Sequence, residues 1–159
     1  MSQRLSPTIR AARKDDLPDI VRLFASSDGN VRDQGQGAGS GALDPAYDDA
    51  LVEMAHDPNN LLMVADLGGR VVGVFQLTFI QHVAHRGGRV AQVEAVFVDK
   101  AMRGRGIGDA MMQWAIREAE RRGCFRIQLT SNKARPRAHA FYERLGFEPT
   151  HVGMKRRLP

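Results

Sequence analysis

The stretch Arg103-Gly104-Arg105-Gly106-Ile107-Gly108 constrains this chain more than any other. An apolar run, Val93-Glu94-Ala95-Val96-Phe97-Val98, precedes it and reads as a strand. A run from Ile107 to Arg122 follows and reads as an amphipathic helix ending at Gly123, with Ile107, Ala110, Met111, Trp114 and Ala115 on one stripe. Glycines let backbone approach a ligand closely and reach positive φ. Amides at a helix start have no partner within the helix and sit at its positive end. Strand, arginine–glycine turn, then helix is therefore a recipe for holding a phosphate. Gln34-Gly35-Gln36-Gly37-Ala38-Gly39 has the same glycine spacing but neither flank. It lies in a polar, glycine-rich stretch, Asp28 to Gly41, that reads as a loop.

The rest of the chain supplies the frame. Thr8 to Ala12 reads as a strand. Asp15 or Asp16 caps a helix to about Phe24. Asp44-Pro45 starts a second helix with Tyr47, Leu51 and Met54 on one face. Leu61–Ala65 and Arg70–Ile80 form a hairpin around Gly68-Gly69. His82 to Gly88 is a polar connection, and Arg89 to Val98 is the central strand. Phe125 to Thr130 is a further strand. Pro136 opens a last helix that carries Ala138, Phe141, Tyr142 and Leu145 and closes at Gly146. Phe147 to Leu158 is expected to add one or two strands. The order β-α-α-β-β-β-α-β-α-β gives a mixed α/β sheet with helices on both faces. At 159 residues the chain makes one domain, residues 1–159.

Bulk properties exclude several classes. No apolar run approaches the roughly 20 residues of a membrane span, and Met1-Ser2-Gln3-Arg4-Leu5 lacks the apolar core of a signal peptide. The single cysteine, Cys124, cannot form an internal disulfide and reads as a buried strand thiol. A cytoplasmic protein is expected, with neither membrane nor nucleic acid as partner. The net charge of +5 suits an anionic partner, and a polyanionic cofactor would use it well. Lys155-Arg156-Arg157 reads as a solvated strand end.

Three pieces, Val96-Phe97-Val98, the Arg103-x-x-Gly106-x-Gly108 turn, and Phe141-Tyr142-Glu143-Arg144-Leu145-Gly146-Phe147, occur in an order and spacing that resemble the GNAT superfamily of N-acetyltransferases. The resemblance implies an α+β fold: a mixed, mostly antiparallel twisted sheet of six to seven strands with about four helices on both faces. It implies acetyl-CoA as cosubstrate, a small-molecule primary amine as acceptor, and allows a homodimer. Backbone groups of Val96, Phe97 and Val98 would meet the pantetheine arm. Arg103, Gly104, Arg105, Gly106, Ile107, Gly108 and Asp109 would hold the pyrophosphate. Tyr142 falls where the family places a tyrosine near the thioester sulfur, and aromatic core packing is its other reading. Glu94 is the candidate general base, expected to share a strand face with Val96 and Val98. Its alternative is a strand-edge charge paired with an arginine. Gln92 lies on Glu94's face and is a candidate for orienting water or substrate.

Arg135 stands where relatives often carry asparagine, so it is read either as a contact to cofactor phosphates or as a solvated helix start. His82 and His85 have a spacing a metal would accept, but no further ligands accompany them. No metal is expected, and the pair is assigned to substrate binding at the cleft mouth. Gln81-His82-Val83-Ala84-His85 and Ser131-Asn132-Lys133-Ala134-Arg135 also resemble the aminoalkylphosphonate acetyltransferases. Two alternatives to a small-molecule enzyme remain open: a non-catalytic acyl-CoA-binding regulatory module, and a protein or peptide N-acetyltransferase. The acceptor itself is not written in the sequence.

Overall fold

The computed structural model describes residues 4–26, 43–156 and 158. The loop read at 28–41, with its glycine-spaced stretch, lies outside the described residues. Five strands pair in chain order: β1 Thr8–Ala11, β2 Asn60–Leu67, β3 Arg70–Gln81, β4 Arg89–Val98 and β5 Cys124–Leu129. The first three pairings are antiparallel and β4–β5 is parallel. A parallel neighbour requires a crossover. Helix α4, Ile107–Arg121, provides it. The other helices are α1 Leu17–Ala25, α2 Pro45–Ala55, the single turn α3 Ala84–Gly87, and α5 Pro136–Arg144.

Local chemistry sets most boundaries. Gly68 and Gly69 both hold positive φ, 63° and 88°. Such a two-residue turn matches the right-handed twist of the strands it joins. Asp44 caps α2 by accepting from the Ala46 amide at 3.0 Å, with Pro45 in the first turn, where its missing N–H costs nothing. The two faces of the sheet bury different cores. On one, Ile107, Met111, Met112 and Ala115 of α4 pack against Ala65, Phe75, Leu77, Ala91 and Val93. Each large side chain buried there contributes about 1.5–3 kcal/mol. Gly73 lets α4 approach, since a Cβ there would stand 2.6 Å from the Met111 sulfur. On the other face, Ile20 and Leu23 of α1 cover Val64, Val71 and Val74.

The expectation of six to seven strands is corrected to five among the described residues, and Phe147 to Leu158 supplies none of them. The alternation of Val152 and Met154 resembles a strand, but both side chains stand in solvent, 73% and 92% exposed. Pro149 offers no N–H for a ladder. Gly153 passes beside Thr130, where a Cβ would be 3.6 Å from its methyl, without pairing to β5.

Candidate active site

The site begins where two strands part. Pairing of β4 with β5 runs from Arg89↔Cys124 to Val93↔Leu129 and stops, while β4 remains paired with β3 up to Val98. From Glu94 to Val98, the edge that faced β5 has no ladder partner among the described residues. The cause lies in β4 itself. Glu94 opposes Gln76 and Phe97 opposes Val74, so Ala95 and Val96 together oppose Phe75. Ala95 holds φ at 50°. This is a β-bulge, which bends its strand and tightens the local twist.

The bulge also resets which residues share a face. Before it, Ala91 and Val93 join the α4-side core. After it, Val96 and Val98 return to that side, and Phe97 turns to α1, its ring 5.2 Å from that of Phe24. An uninterrupted two-residue period predicts Glu94 on the face of Val96 and Val98. The structure corrects this: Glu94 lies on the opposite, α1 face with Gln92, because one extra residue inverts the parity.

Beyond Val98 the chain enters the glycine turn. Asp99, buried, accepts from the Ala101 amide at 3.0 Å and receives Arg22 at 3.1 Å and Arg70 at 3.0 Å. These bonds tie the entrance of the turn to α1 and β3. Arg103 folds back, its Nε donating to the Val98 carbonyl at 3.3 Å. Gly104 and Gly106 hold φ of 74° and 87°, and Gly106 is the N-cap of α4, with no side chain to cap it. The first intrahelical bond is Ala110 N–H to the Gly106 carbonyl, 3.0 Å. The amides of Ile107, Gly108 and Asp109 thus have no carbonyl of the helix to meet.

The neighbours of the turn assign the remaining candidates. The Arg105 Nε is buried with no hydrogen-bond partner among the described residues. The Ile107 side chain is core. At Gly108 a Cβ would approach the Phe141 ring to 3.2 Å, so this glycine permits α5 to dock on α4. The carboxylate of Asp109 faces Arg144 at 3.1 Å and Arg4 at 3.7 Å, so its amide is the group that faces the turn. An uncapped helix start, glycine-relaxed backbone and an orphaned guanidinium N–H together fit a pyrophosphate. The described N-terminal segment completes the turn: the Leu5 amide donates to the Arg105 carbonyl at 2.9 Å. No sequence signal marked Arg4 or Leu5.

Tyr142, on α5, is half-buried, its ring set edge-on to Phe141 at 5.1 Å and Phe147 at 5.8 Å. It joins the α4-side cluster with Val96 and Val98. Burial pushes its phenol above the ordinary value, and Arg135, the N-cap of α5, opposes that rise. Glu94 is exposed and makes no ion pair with an arginine among the described residues, which leaves its carboxylate to solvent and ligand. Just past β5, the Ser131 hydroxyl is buried with no partner among the described residues. Burial raises the Cys124 thiol, which suppresses its thiolate and its nucleophilicity.

His82 and His85 are not brought to this gap. They lie at the β3–β4 connection, beside Arg89. Glu94 is five residues further along β4, about 16 Å at strand spacing. His85 holds φ at 56° and stacks on Phe125, centroids 4.7 Å apart. Among the described residues no three metal-ligating side chains of His, Cys, Asp or Glu type converge, and no helix is long and apolar enough to cross a membrane. Gln92 accepts from Gln128 Nε2 at 2.8 Å. Gln128 went unnoticed in the sequence although the alternation Arg126, Gln128 against Ile127, Leu129 points it to Glu94's face.

Known proteins resemble this chain in sequence and in fold. The model of the acetyltransferase (GNAT) family matches residues 31–147. Aminoalkylphosphonate N-acetyltransferase of Salmonella typhimurium is 31% identical over 113 residues, 71% of this chain and 73% of that one. Glucosamine 6-phosphate N-acetyltransferase 1 of Oryza sativa subsp. japonica is 32% identical over 98 residues, 60% of this chain and 58% of the enzyme. Among solved structures, a transcriptional regulator from Bacillus halodurans C-125 superposes with a TM-score of 0.89 at 39% identity, covering 96% of this chain and 100% of that one.

Proposed function

Because this chain belongs to the acetyltransferase (GNAT) family, we propose that it transfers an acetyl group from acetyl-CoA to the primary amine of a small molecule, by direct attack in a ternary complex. The observation that carries the reading is the parting of β4 from β5 at the Ala95 bulge, directly upstream of the uncapped glycine turn. The pyrophosphate sits on the amides of Ile107 to Asp109 with Arg103 and Arg105. The pantetheine arm runs along the unpaired edge of β4, and the thioester reaches the bulge.

The chemistry divides between the two faces. A simple amine has a pKa near that of lysine, about 10.4, and arrives protonated. Glu94, through a water, takes that proton. The nitrogen lone pair forms the N–C bond, backbone amides at the parted strands hold the oxyanion, and the C–S bond breaks. Tyr142 donates its proton to the departing thiolate. The second proton that the nitrogen sheds as the amide forms returns to the Tyr142 phenolate, so that the proton held by Glu94 is the one released to solvent. The raised pKa of Tyr142 keeps the phenol protonated until the thiolate departs. Handing the proton to a thiolate whose parent thiol titrates near 8.5 is uphill by at least about 2 kcal/mol, a small part of a typical barrier. Cys124 takes no part.

The test is thiol release from acetyl-CoA across a panel of amines. Tyr142→Phe is expected to lower kcat by about a hundredfold or more, the usual weight of a proton donor. Glu94→Gln is expected to lower kcat/KM by about a hundredfold or more, the usual weight of a general base. Tight acetyl-CoA binding without turnover of any amine would instead assign the chain to acyl-CoA-dependent regulation.

A further inference from the structure

On the sheet face that bears Glu94, successive cross-strand rows change in kind. The row of Val64, Val74 and Phe97 is apolar and lies under α1. The next two rows are Leu62, Gln76 and Glu94, then Asn60, Thr78, Gln92 and Gln128. Apart from Leu62, every member is a carboxamide, a hydroxyl or the carboxylate. The neutral members form two hydrogen-bonded groups across the strands. Asn60 Oδ1 accepts from Gln76 Nε2 at 2.8 Å and from Thr78 Oγ1 at 3.2 Å. Gln128 Nε2 donates to Gln92 Oε1 at 2.8 Å, joining β5 to β4.

These bonds fix the side chains and still leave capacity. Each carboxamide has two N–H donors and an oxygen with two lone pairs, and each bond within the ladder uses only one of these. All five polar neutral residues are half-buried, a depth at which leaving polar groups unmatched is unfavourable. The matching ligand group is one that both donates and accepts, which is a hydroxyl. No lysine or arginine belongs to either row. A phosphonate or carboxylate seated there would meet Glu94 with like charge and, among the described residues of these rows, no counter-ion. Arg126, one row further along in register with Val90, holds its guanidinium near the Phe125 ring, 5.2 Å from the centroid.

Resting on the acetyl-transfer reading above, we infer that the acceptor is a polyhydroxylated amine, its nitrogen at Glu94 and its hydroxyls read by the carboxamides of Gln92 and Gln128. This departs from the small amine with an anionic group that a resemblance to the aminoalkylphosphonate acetyltransferases suggests. A site built to hydrogen-bond a hydroxyl discriminates strongly against the analogue lacking it, because its own groups are then left unpaired.

The experiment compares kcat/KM for serinol, for isopropylamine as its deoxy analogue, and for aminoethylphosphonate, with acetyl-CoA as donor. Serinol is expected to exceed isopropylamine by at least about tenfold, and to exceed aminoethylphosphonate as well. Gln92→Leu and Gln128→Leu are expected to bring the serinol-to-isopropylamine ratio down to about twofold or less. The ratio is the readout, so a general loss of activity cancels. Where a leucine variant loses acetyl-CoA affinity as well, Gln128→Asn, which withdraws the amide by one methylene, takes its place in the same comparison. A ratio unchanged in the variants, or a wild-type preference for aminoethylphosphonate, overturns the inference while acetyl transfer stands. Failure of the wild type to acetylate any amine overturns both.

Discussion

Substitution at Ala95 tests the bulge from which the site is built. In a regular strand the order of stability is Val above Ala above Gly, since β-branched side chains favour extended backbone and glycine costs about 0.5–1 kcal/mol relative to alanine. At φ of 50° that order reverses. The left-handed conformation costs an L-residue about 1–2 kcal/mol that glycine does not bear. Against this gain, Ala95→Gly frees the unfolded chain at a cost of about 0.4–1 kcal/mol. It also exposes half of one methyl, about 0.4 kcal/mol at the usual value per buried carbon. The balance runs from about 0.4 kcal/mol destabilising to about 1.2 kcal/mol stabilising. Ala95→Val has no such offset: its branched Cβ clashes with backbone at positive φ, and a loss of about 2 kcal/mol or more follows. For a chain of this length 1 kcal/mol moves Tm by about 2–4 °C. Thermal unfolding should therefore place Gly between about 2 °C below and about 5 °C above wild type, and Val about 4–8 °C below and beneath Gly. If Val holds or raises Tm while Gly lowers it, Ala95 is ordinary strand, β4 keeps its parity, and the assignment of Glu94 to the α1 face falls with it.

Two further expectations concern charge. Glu118 is held at a pKa of about 2 chiefly by its hydrogen bond to Arg121, with Arg122 adding to it, and against the opposing effect of burial. Arg10 likewise depresses Asp16 and Asp66. Acids depressed on folding stabilise above their unfolded pKa and lose that contribution as pH falls. Unfolding free energy should decline from about pH 4.5 toward pH 2, and Glu118→Gln should flatten that decline in urea titrations; an unaltered slope would refute the assignment. Asp99→Asn keeps the acceptor for the Ala101 amide but removes the charge facing Arg22 and Arg70. Because both arginines are partly exposed, a loss of about 1 kcal/mol is expected. Acetyl-CoA affinity measured by calorimetry should fall with it, and an unchanged affinity would show that the anchor does not set the turn.

Where structure follows from local chemistry, the sequence was legible. The hairpin at Gly68-Gly69, the cap at Asp44, the full span of β4 and the start of α4 each depend on residues within a few positions, and all four appear where the sequence places them. The C-terminal strands failed because a strand exists by its partner: Val152 and Met154 alternate correctly, but nothing meets them. The Asn60–Gln76 and Gln92–Gln128 bonds span 16 and 36 residues, separations over which one sequence carries no local signal.

The bulge was illegible for a different reason, and it decides most. Left-handed backbone is announced by glycine, asparagine or aspartate, and this position is alanine. Read with an unbroken period, Glu94, Val96 and Val98 form one face, and base and cofactor crowd the same side. One inserted residue separates them. The valines face the α4 side, where they join the cluster that holds Tyr142, the proposed proton donor, whose phenol pKa burial raises, and Glu94 faces the side of Gln92 and Gln128. The same insertion coincides with the loss of pairing to β5, which frees the backbone groups that an oxyanion and a pantetheine arm require. The unpaired backbone and the placement of Glu94 thus come from a single irregularity, and in the proposed reaction the amine and the thioester would approach the reacting carbon from opposite sides of the sheet.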